Sequence, residues 1–441
     1  MQIMTNKIKT ILLTILLISG ISNLNAQYSI STPYSRYGIG KMAGTSSQVA
    51  AAMGGVGCAM ARNNEVNTLN PASYFAIDSQ SFVFNIGFDM NWRNIKSSED
   101  KSNAFLAGIN NISFSFPIIK GLRVGLSLMP VSDIKYLGTD SVFSTYNYTK
   151  VFEGNGGLDK FVVGLAYQIL NTKNDMLAIG ANMDYYFGNI YRAASLEFLT
   201  SQRDNNGNYN DTLGFFNSRT ETNYNISSFG FDFGLQYFHS LTNGNIVGLG
   251  LVFTPSYKFN ADKKQLFYTY YRHAANEYMM DTIQNKSSDA DIKMPMHMGL
   301  GFSFEKPNKL FAEADCQYYK CSDFYFENKD KSQELKDSWT FNIGSEYIPN
   351  YLGSSYFDKI AYRIGMHYSN GYIYLQDKRI NDIGISFGMG LQIKKLGTRI
   401  NLNFEYGKFG TTDNNLIKEN YFRIGVAVSA KDRWFVKRKY K

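Results

Sequence analysis

Three cysteines, eight prolines and four histidines are few for 441 residues, and each shortage closes off a class of protein. Cys58 stands alone, while Cys316 and Cys321 are five apart. An extended strand would hold that pair too far apart, and on opposite faces, to bond. Packed or free thiols are therefore expected in place of a disulfide framework. His239, His273, His297 and His367 have no His or Cys at ligand spacing, so no metal and no cofactor is expected. Apolar runs are short as well. The longest, Ile11 to Ile18, falls well below the roughly 20 residues that a spanning helix needs. A membrane protein with such a sequence has to be a closed barrel, because only helices and barrels satisfy their backbone groups in lipid. Net charge is also small away from the ends. The formal net charge is +8, but Lys7 and Lys9 sit in the leader. The tail from Lys431 to Lys441 holds six basic residues and one acid, and what remains is a body with a net charge of +1. That distribution argues against nucleic acid as a partner.

Aromatic residues and glycine are plentiful: 32 Tyr, 33 Phe and 38 Gly. Aromatics favour strands, and strand glycines mark places where something packs closely. The N-terminus reads as a secretory signal with Lys7 and Lys9 before the short apolar core and Leu24-Asn25-Ala26 before Gln27. Residues 1–26 are thus expected to be a cleaved signal peptide. Beyond them a two-residue rhythm takes over. Phe82, Phe84, Ile86, Phe88, Met90 and Trp92 alternate with Val83, Asn85, Gly87, Asp89 and Asn91. The same rhythm returns at Phe161–Gln168, Phe229–Tyr237, Met296–Phe304, Ile383–Ile393 and Ile400–Tyr406. Each run approaches the roughly 9–11 residues of a tilted membrane strand.

A soluble β-sandwich also alternates, but the connections speak for a barrel. Strands are expected to begin at Ser81, Asn110, Leu122, Asp159, Met176, Thr222, Asn245, Ile292, Lys309, Asp337, Phe357, Asp382, Thr398 and Lys418. Tight turns such as Ile119-Lys120-Gly121, Thr242-Asn243-Gly244 and Lys306-Pro307-Asn308 alternate with long polar links at Arg93–Ala104, Arg192–Glu221, Asn260–Asp291 and Glu327–Lys336. The expected fold class is all-β: a transmembrane antiparallel β-barrel of about 14 strands over residues 80–430. Its basic tail, 431–441, would lie in the periplasm.

Residues 27–79 exceed what a strand needs and differ in composition. Tyr34-Ser35-Arg36-Tyr37-Gly38-Ile39-Gly40 precedes Gly54-Gly55-Val56-Gly57-Cys58-Ala59-Met60-Ala61, and then Asn70-Pro71-Ala72. Small residues suit a confined volume, and an N-terminal plug, or hatch, inside the barrel is expected. This order of motifs, followed by strands to the C-terminus, resembles the FadL-type family of outer-membrane transporters for long-chain fatty acids and aromatic hydrocarbons. The resemblance implies a barrel of 14 strands, a hatch, outer-membrane localisation among its lipids, and hydrophobic ligands that leave sideways into the bilayer. Where the family often has an acidic Ala-Asp-Asp-Ala-like stretch, this chain has Ala61-Arg62-Asn63-Asn64-Glu65-Val66. A PorV-like relative with the same barrel serves protein secretion, which makes a secretion-system protein the alternative partner.

Asn70, Pro71, Ala72, Tyr34, Arg36 and Tyr37 are accordingly assigned to the hatch and passage. Tyr268, Tyr270, Tyr271, Phe324, Tyr325 and Phe326 fall in or beside long links, and aromatics exposed there have no bilayer to face, so they are assigned to ligand contact. Gly384-Ile385-Ser386-Phe387-Gly388 has the form of a hydrolase nucleophile elbow. That chemistry needs a strand-to-helix turn, and here Ser386 lies within an alternating strand. No enzyme activity is expected. Pro117 and Pro130 mark either strand ends or kinks, and a kink is one way to open a gap in the wall.

Overall fold

The computed structural model describes residues 31–44, 47–143, 147–198, 216–273, 276–327, 334–393 and 398–433. The expected signal peptide, residues 1–26, lies outside them. Sixteen strands build the wall: β1 (Ser81–Lys96), β2 (Lys101–Ile119), β3 (Leu122–Val142), β4 (Tyr148–Asn171), β5 (Asp175–Phe198), β6 (Asn217–Ser240), β7 (Ile246–Thr254), β8 (Tyr257–His273), β9 (Asn276–Met294), β10 (His297–Lys306), β11 (Leu310–Tyr319), β12 (Ser338–Tyr347), β13 (Ala361–Ser369), β14 (Asp382–Gln392), β15 (Arg399–Gly410) and β16 (Lys418–Arg433). Pro255 separates β7 from β8 and Pro295 separates β9 from β10, where a residue without an N–H interrupts the ladder. Each of those pairs makes one crossing, since β6 pairs with both β7 and β8. The result is a barrel of 14 crossings. It is closed by β1 running antiparallel to β16 from Ser81↔Arg433 to Lys96↔Lys418. Closure excludes the two-layer sandwich and leaves no outer edge to the sheet as a whole.

The side chains are inside out relative to a soluble protein. Phe88, Leu165, Phe231, Leu251, Leu300, Ile343, Ile364 and Ile385 are exposed on the outer wall, whereas Asn85, Ser127, Asn182, Gln236, Ser303, Asn342 and Asn403 are buried on the inner one. Such an apolar band around a polar interior is the pattern of a barrel set in lipid.

Strand starts at Ser81, Leu122, Asp382 and Lys418 agree with expectation. Three others begin far earlier: Lys101 for Asn110, Tyr148 for Asp159 and Asn276 for Ile292. The long links there are largely strand. Arg93–Ala104 is the end of β1, a tight turn and the start of β2, and Asn260–Asp291 is the β8–β9 hairpin. The cause is physical. These strands continue past the lipid band, where both faces are polar, and the two-residue contrast that identifies a strand fades. The basic tail also begins within β16, because Lys431 and Arg433 are paired strand residues.

Candidate functional site

Residues 31–44 and 47–77 touch strands around the whole circumference, which places them within the lumen. They are joined there by close backbone approach. A methyl group on Gly250 would overlap the Cys58 carbonyl oxygen, one on Gly365 the Met53 carbonyl carbon, and one on Gly180 the Ala72 amide. Inward glycines on β5, β7 and β13 thus leave the room that the chain occupies. Asn70 caps a short 3-10 helix, Pro71–Ala76, with its Oδ1 accepting from the Ala72 N–H at 3.1 Å and Pro71 in the first turn, an N-terminus built from preferred residues. The Asn70 Nδ2 donates to the Cys58 carbonyl at 2.6 Å and reaches the Leu251 carbonyl of β7 at 3.2 Å.

Two acids hold the small-residue stretch. Asp315 Oδ2 accepts from the N–H groups of Gly57 (2.7 Å) and Cys58 (3.0 Å), and Glu313 Oε1 accepts from Ala59 at 2.6 Å. Both acids are on β11, two residues apart and hence on one face. Beginning on the neighbouring strand β12, a continuous network runs from Arg62 through Glu346, Arg363, Asn401 and Ser429 to Glu65 and Ser47. The residues that stand in place of the acidic stretch are therefore anchored by pairing with the wall. Ser386 Oγ accepts from the Gly54 N–H at 2.9 Å. Its hydroxyl serves the segment, and Ser386→Ala is expected to lower the thermal midpoint modestly, since one lost partner for a buried donor costs about 1–3 kcal/mol. A thermal melt in detergent checks this.

Between two parts of the segment, residues 38–44 and residues 51–69, lies a cavity of about 450 Å³. Its floor is Ala51, Gly54, Gly55, Thr68 and Leu69; its roof includes Ile39, Phe324, Leu335, Ile373 and Ile380, which belong to one apolar cluster with Tyr34, Phe409 and Tyr421. Polar wall groups are mostly engaged with one another. Lys160 Nζ lies 2.8 Å from Asp184 and 3.1 Å from Asp232, His297 contacts Gln317 at 3.2 Å, and Tyr421 Oη bonds Asp382 and His367. Lys41 differs. Its ammonium lies 4.5 Å from the Phe409 ring centre and 5.5 Å from that of Tyr421, with no hydrogen bond or ion pair to it among the described residues. Burial, and after it the Arg93 guanidinium, lower its pKa to about 8, which leaves it protonated at neutral pH.

The cavity reaches the wall where the wall is incomplete. β2 and β3 pair only from Ile119↔Leu122 up to Ile112↔Leu128. Beyond Met129 the β3 edge is taken by residues 41–43, through Lys41↔Asp133, Met42↔Ser132 and an Ala43 N–H bond of 2.8 Å to the Val131 carbonyl. Gly40, at φ +104°, lies so close to the Asp133 carbonyl that a side chain there would collide with it. Pro130 sits at this departure, with a register shift between Pro130 and Ser132 against β4. It is a kink within a strand, as is Pro117 beside its own shift, and neither ends its strand. Met42, Ala43, Met129 and Val131 all line the cavity.

The residues picked out from sequence scatter around this site. Phe324 lines the cavity. Tyr34 exchanges hydrogen bonds with the Ile417 backbone and meets Phe409 edge-on; Arg36 stacks on Phe152 at 4.9 Å, and Tyr37 packs against the roof cluster. Tyr268 and Tyr270 are strand residues with buried rings, hydrogen-bonded to Glu221 and Glu197, and of the three only Tyr271 is exposed, at 42%. They are strand residues and not loop aromatics, because the link that contained them is a hairpin. Tyr325 and Phe326 form a short strand paired with Ile292 and Lys293, and Phe326 meets the Tyr224 ring edge-on. Lys41, Glu313, Asp315 and the Arg62 network went unnoticed in the sequence. The pattern Ala312-Glu313-Ala314-Asp315, with two acids on the inward side of a strand, was the available signal.

Comparison with known proteins completes the description. The chain superimposes on the CymD monoaromatic hydrocarbon channel with a TM-score of 0.54 and 13% identity, over 88% of this chain and 98% of that one. The Ralstonia pickettii toluene transporter TbuX gives 0.54 and 16%, over 89% and 99%, and the Pseudomonas putida toluene transporter TodX 0.51 and 14%, over 89% and 99%. At such identities the likeness establishes the fold. No protein of curated function matches the sequence. A family model described as BamG matches residues 7–441.

Proposed function

Given that the chain belongs to the BamG family and has the barrel of hydrocarbon channels, we propose that it is an outer-membrane channel for small hydrophobic molecules. One observation carries this reading: a cavity with an apolar roof abuts a stretch of wall where two strands are not paired with each other. A hydrophobic molecule gains little by crossing a water-filled pore into the periplasm, whereas an opening in the wall would deliver it to lipid. In this reading residues 31–77 are the hatch, anchored around Asn70-Pro71-Ala72 and by Glu313 and Asp315. They block a straight path, so that exit is sideways past Pro130. The chain acts passively, through its shape and its apolar lining.

Uptake of radiolabelled toluene, naphthalene and oleate by intact cells should fall on deletion of the gene and return with the full chain. Unchanged uptake across that panel overturns the proposal. Export is expected to remove residues 1–26, so mass spectrometry of the protein from the outer-membrane fraction should find an N-terminus at Gln27. An intact Met1 there would refute the leader.

A further inference from the structure

We infer that the segment in the lumen is latched by a proton: Glu313 and Asp315 of β11 share one between their carboxyl groups, and the barrel opens when it is lost. The latch rests on the hatch reading above and is independent of what the channel carries. Both acids lie inside the barrel, 3% and 4% exposed. Glu313 Oε1 and Asp315 Oδ2 hold the N–H groups of Gly57, Cys58 and Ala59. The other two oxygens, Glu313 Oε2 and Asp315 Oδ1, are buried with no N–H or O–H directed at them from the rest of the protein. The two side chains are hydrogen-bonded to each other. An ionised carboxylate only accepts, so a bond between two carboxyl groups requires a proton between them. Charge leads to the same place, because two adjacent anions out of water cannot both persist.

No cation takes the place of that proton. Among the described residues neither acid makes an ion pair. Arg62, on the segment, pairs with Glu346 of β12 at 2.8 Å and has Glu305 of β10 beside it. Glu346 is also bonded by Arg363 of β13 at 2.7 Å. His297 of β10 contacts Gln317, and the Cys58 thiol faces Asp315. Asp315 accepts two backbone N–H bonds, at 2.7 and 3.0 Å, which suits an anion. Glu313 accepts one, through the oxygen that a neutral carboxyl keeps as its carbonyl. The proton therefore sits on Glu313 Oε2 and is donated to Asp315. When the segment lifts, water reaches both groups, the proton passes to it and both acids ionise. The closed barrel thus binds one proton more than the open one. Above the ordinary carboxylate range the open-to-closed ratio rises about tenfold per pH unit, until the closed pair ionises as well.

Single-channel recording of the full-length protein in planar bilayers tests this. Between about pH 6 and about pH 9 the native opening probability is expected to climb by up to roughly tenfold per unit. In Glu313→Gln an amide replaces the neutral acid, with an N–H for Asp315, a carbonyl for Ala59 and no proton to lose. That variant should stay shut across the range. Glu313→Ala keeps neither donor nor acceptor and should open equally at every pH. Infrared spectra at neutral pH should show the carbonyl stretch of a buried neutral carboxylic acid in the native protein, and Glu313→Gln should lack it. Heat-modifiability on a gel reports that each variant has folded. Native opening that ignores pH, the native slope persisting in Glu313→Gln, or identical carboxylic-acid bands in the two proteins overturns the latch. None of these outcomes bears on ligand uptake, so the channel reading stands or falls separately.

Discussion

Gly250→Leu should open the barrel. A planar bilayer holding the native protein is expected to show little ion conductance, and the same bilayer with the variant to show discrete steps. The new side chain would start where the Cys58 carbonyl oxygen and the Ala59 amide already lie. Overpacking a filled interior costs about 1–3 kcal/mol when side chains can rotate away, and here the obstacle is backbone, which cannot. The segment therefore has to lift off β7, and its bonds lift with it. Asn70 and Gln236 both donate to the Cys58 carbonyl, and Gly57, Cys58 and Ala59 donate to Asp315 and Glu313. Five buried hydrogen bonds converge on three residues, and a displacement that breaks one strains the others. The wall has no such dependence, because its ladders join β7 to β6 and β10 independently of the lumen. The variant should therefore remain a heat-modifiable barrel on a gel while trypsin cuts the segment at Arg62. Gly138→Leu is the control. It lies on β3 with open space at its Cβ position, and it should leave conductance and digestion as in the native chain. A silent bilayer and an uncut segment in Gly250→Leu would show that the lumen is not closed by this contact.

The legible and illegible parts of this molecule divide along a physical line. Wherever a strand faces lipid on one side and the crowded lumen on the other, the two environments differ and the side chains must alternate. Phe82–Trp92 and Ile383–Ile393 could be read for that reason. Above the membrane both faces meet water, so Asn276–Asp291 reads as loop and is strand. Tyr268 and Tyr270 followed that error, because exposure was inferred from a link that does not exist. Within the lumen the limit is different. The small residues at 54–61 announce confinement, yet nothing local tells which wall residue each will meet. Asp315 lies 257 residues from Cys58 in sequence, and Lys41 owes its isolation to partners that Asp382, Glu405 and Glu419 found elsewhere. Only closure of the barrel brings those facts together.

The second large effect concerns the wall. A disulfide between Met42→Cys and Ser132→Cys should abolish uptake of labelled ligand by cells, and a membrane-permeant reductant should restore it. The register supports the bond. Met42 and Ser132 are opposed in an antiparallel pair, and the Ala43 N–H bond to the Val131 carbonyl makes the neighbouring pair the hydrogen-bonded one. Met42 and Ser132 are then the non-hydrogen-bonded pair, whose Cα atoms lie about 4.5 Å apart, inside the range a disulfide spans. The periplasm is oxidising, so the bond should form on export. If the ligand leaves between β2 and β3, residues 41–43 must part from the β3 edge, and a covalent tie there forbids it. If it leaves down through the lumen, the tie is irrelevant, since Met42 lies at the wall and the floor is Gly54, Gly55 and Leu69. A cysteine pair joining Ala312 to Ser345, opposed residues of β11 and β12 away from the cavity, controls for stiffening of the barrel in general. Uptake that survives the first tie as it survives the second would move the exit from the wall to the lumen. Loss under the first tie alone, reversed on reduction, places it at Pro130.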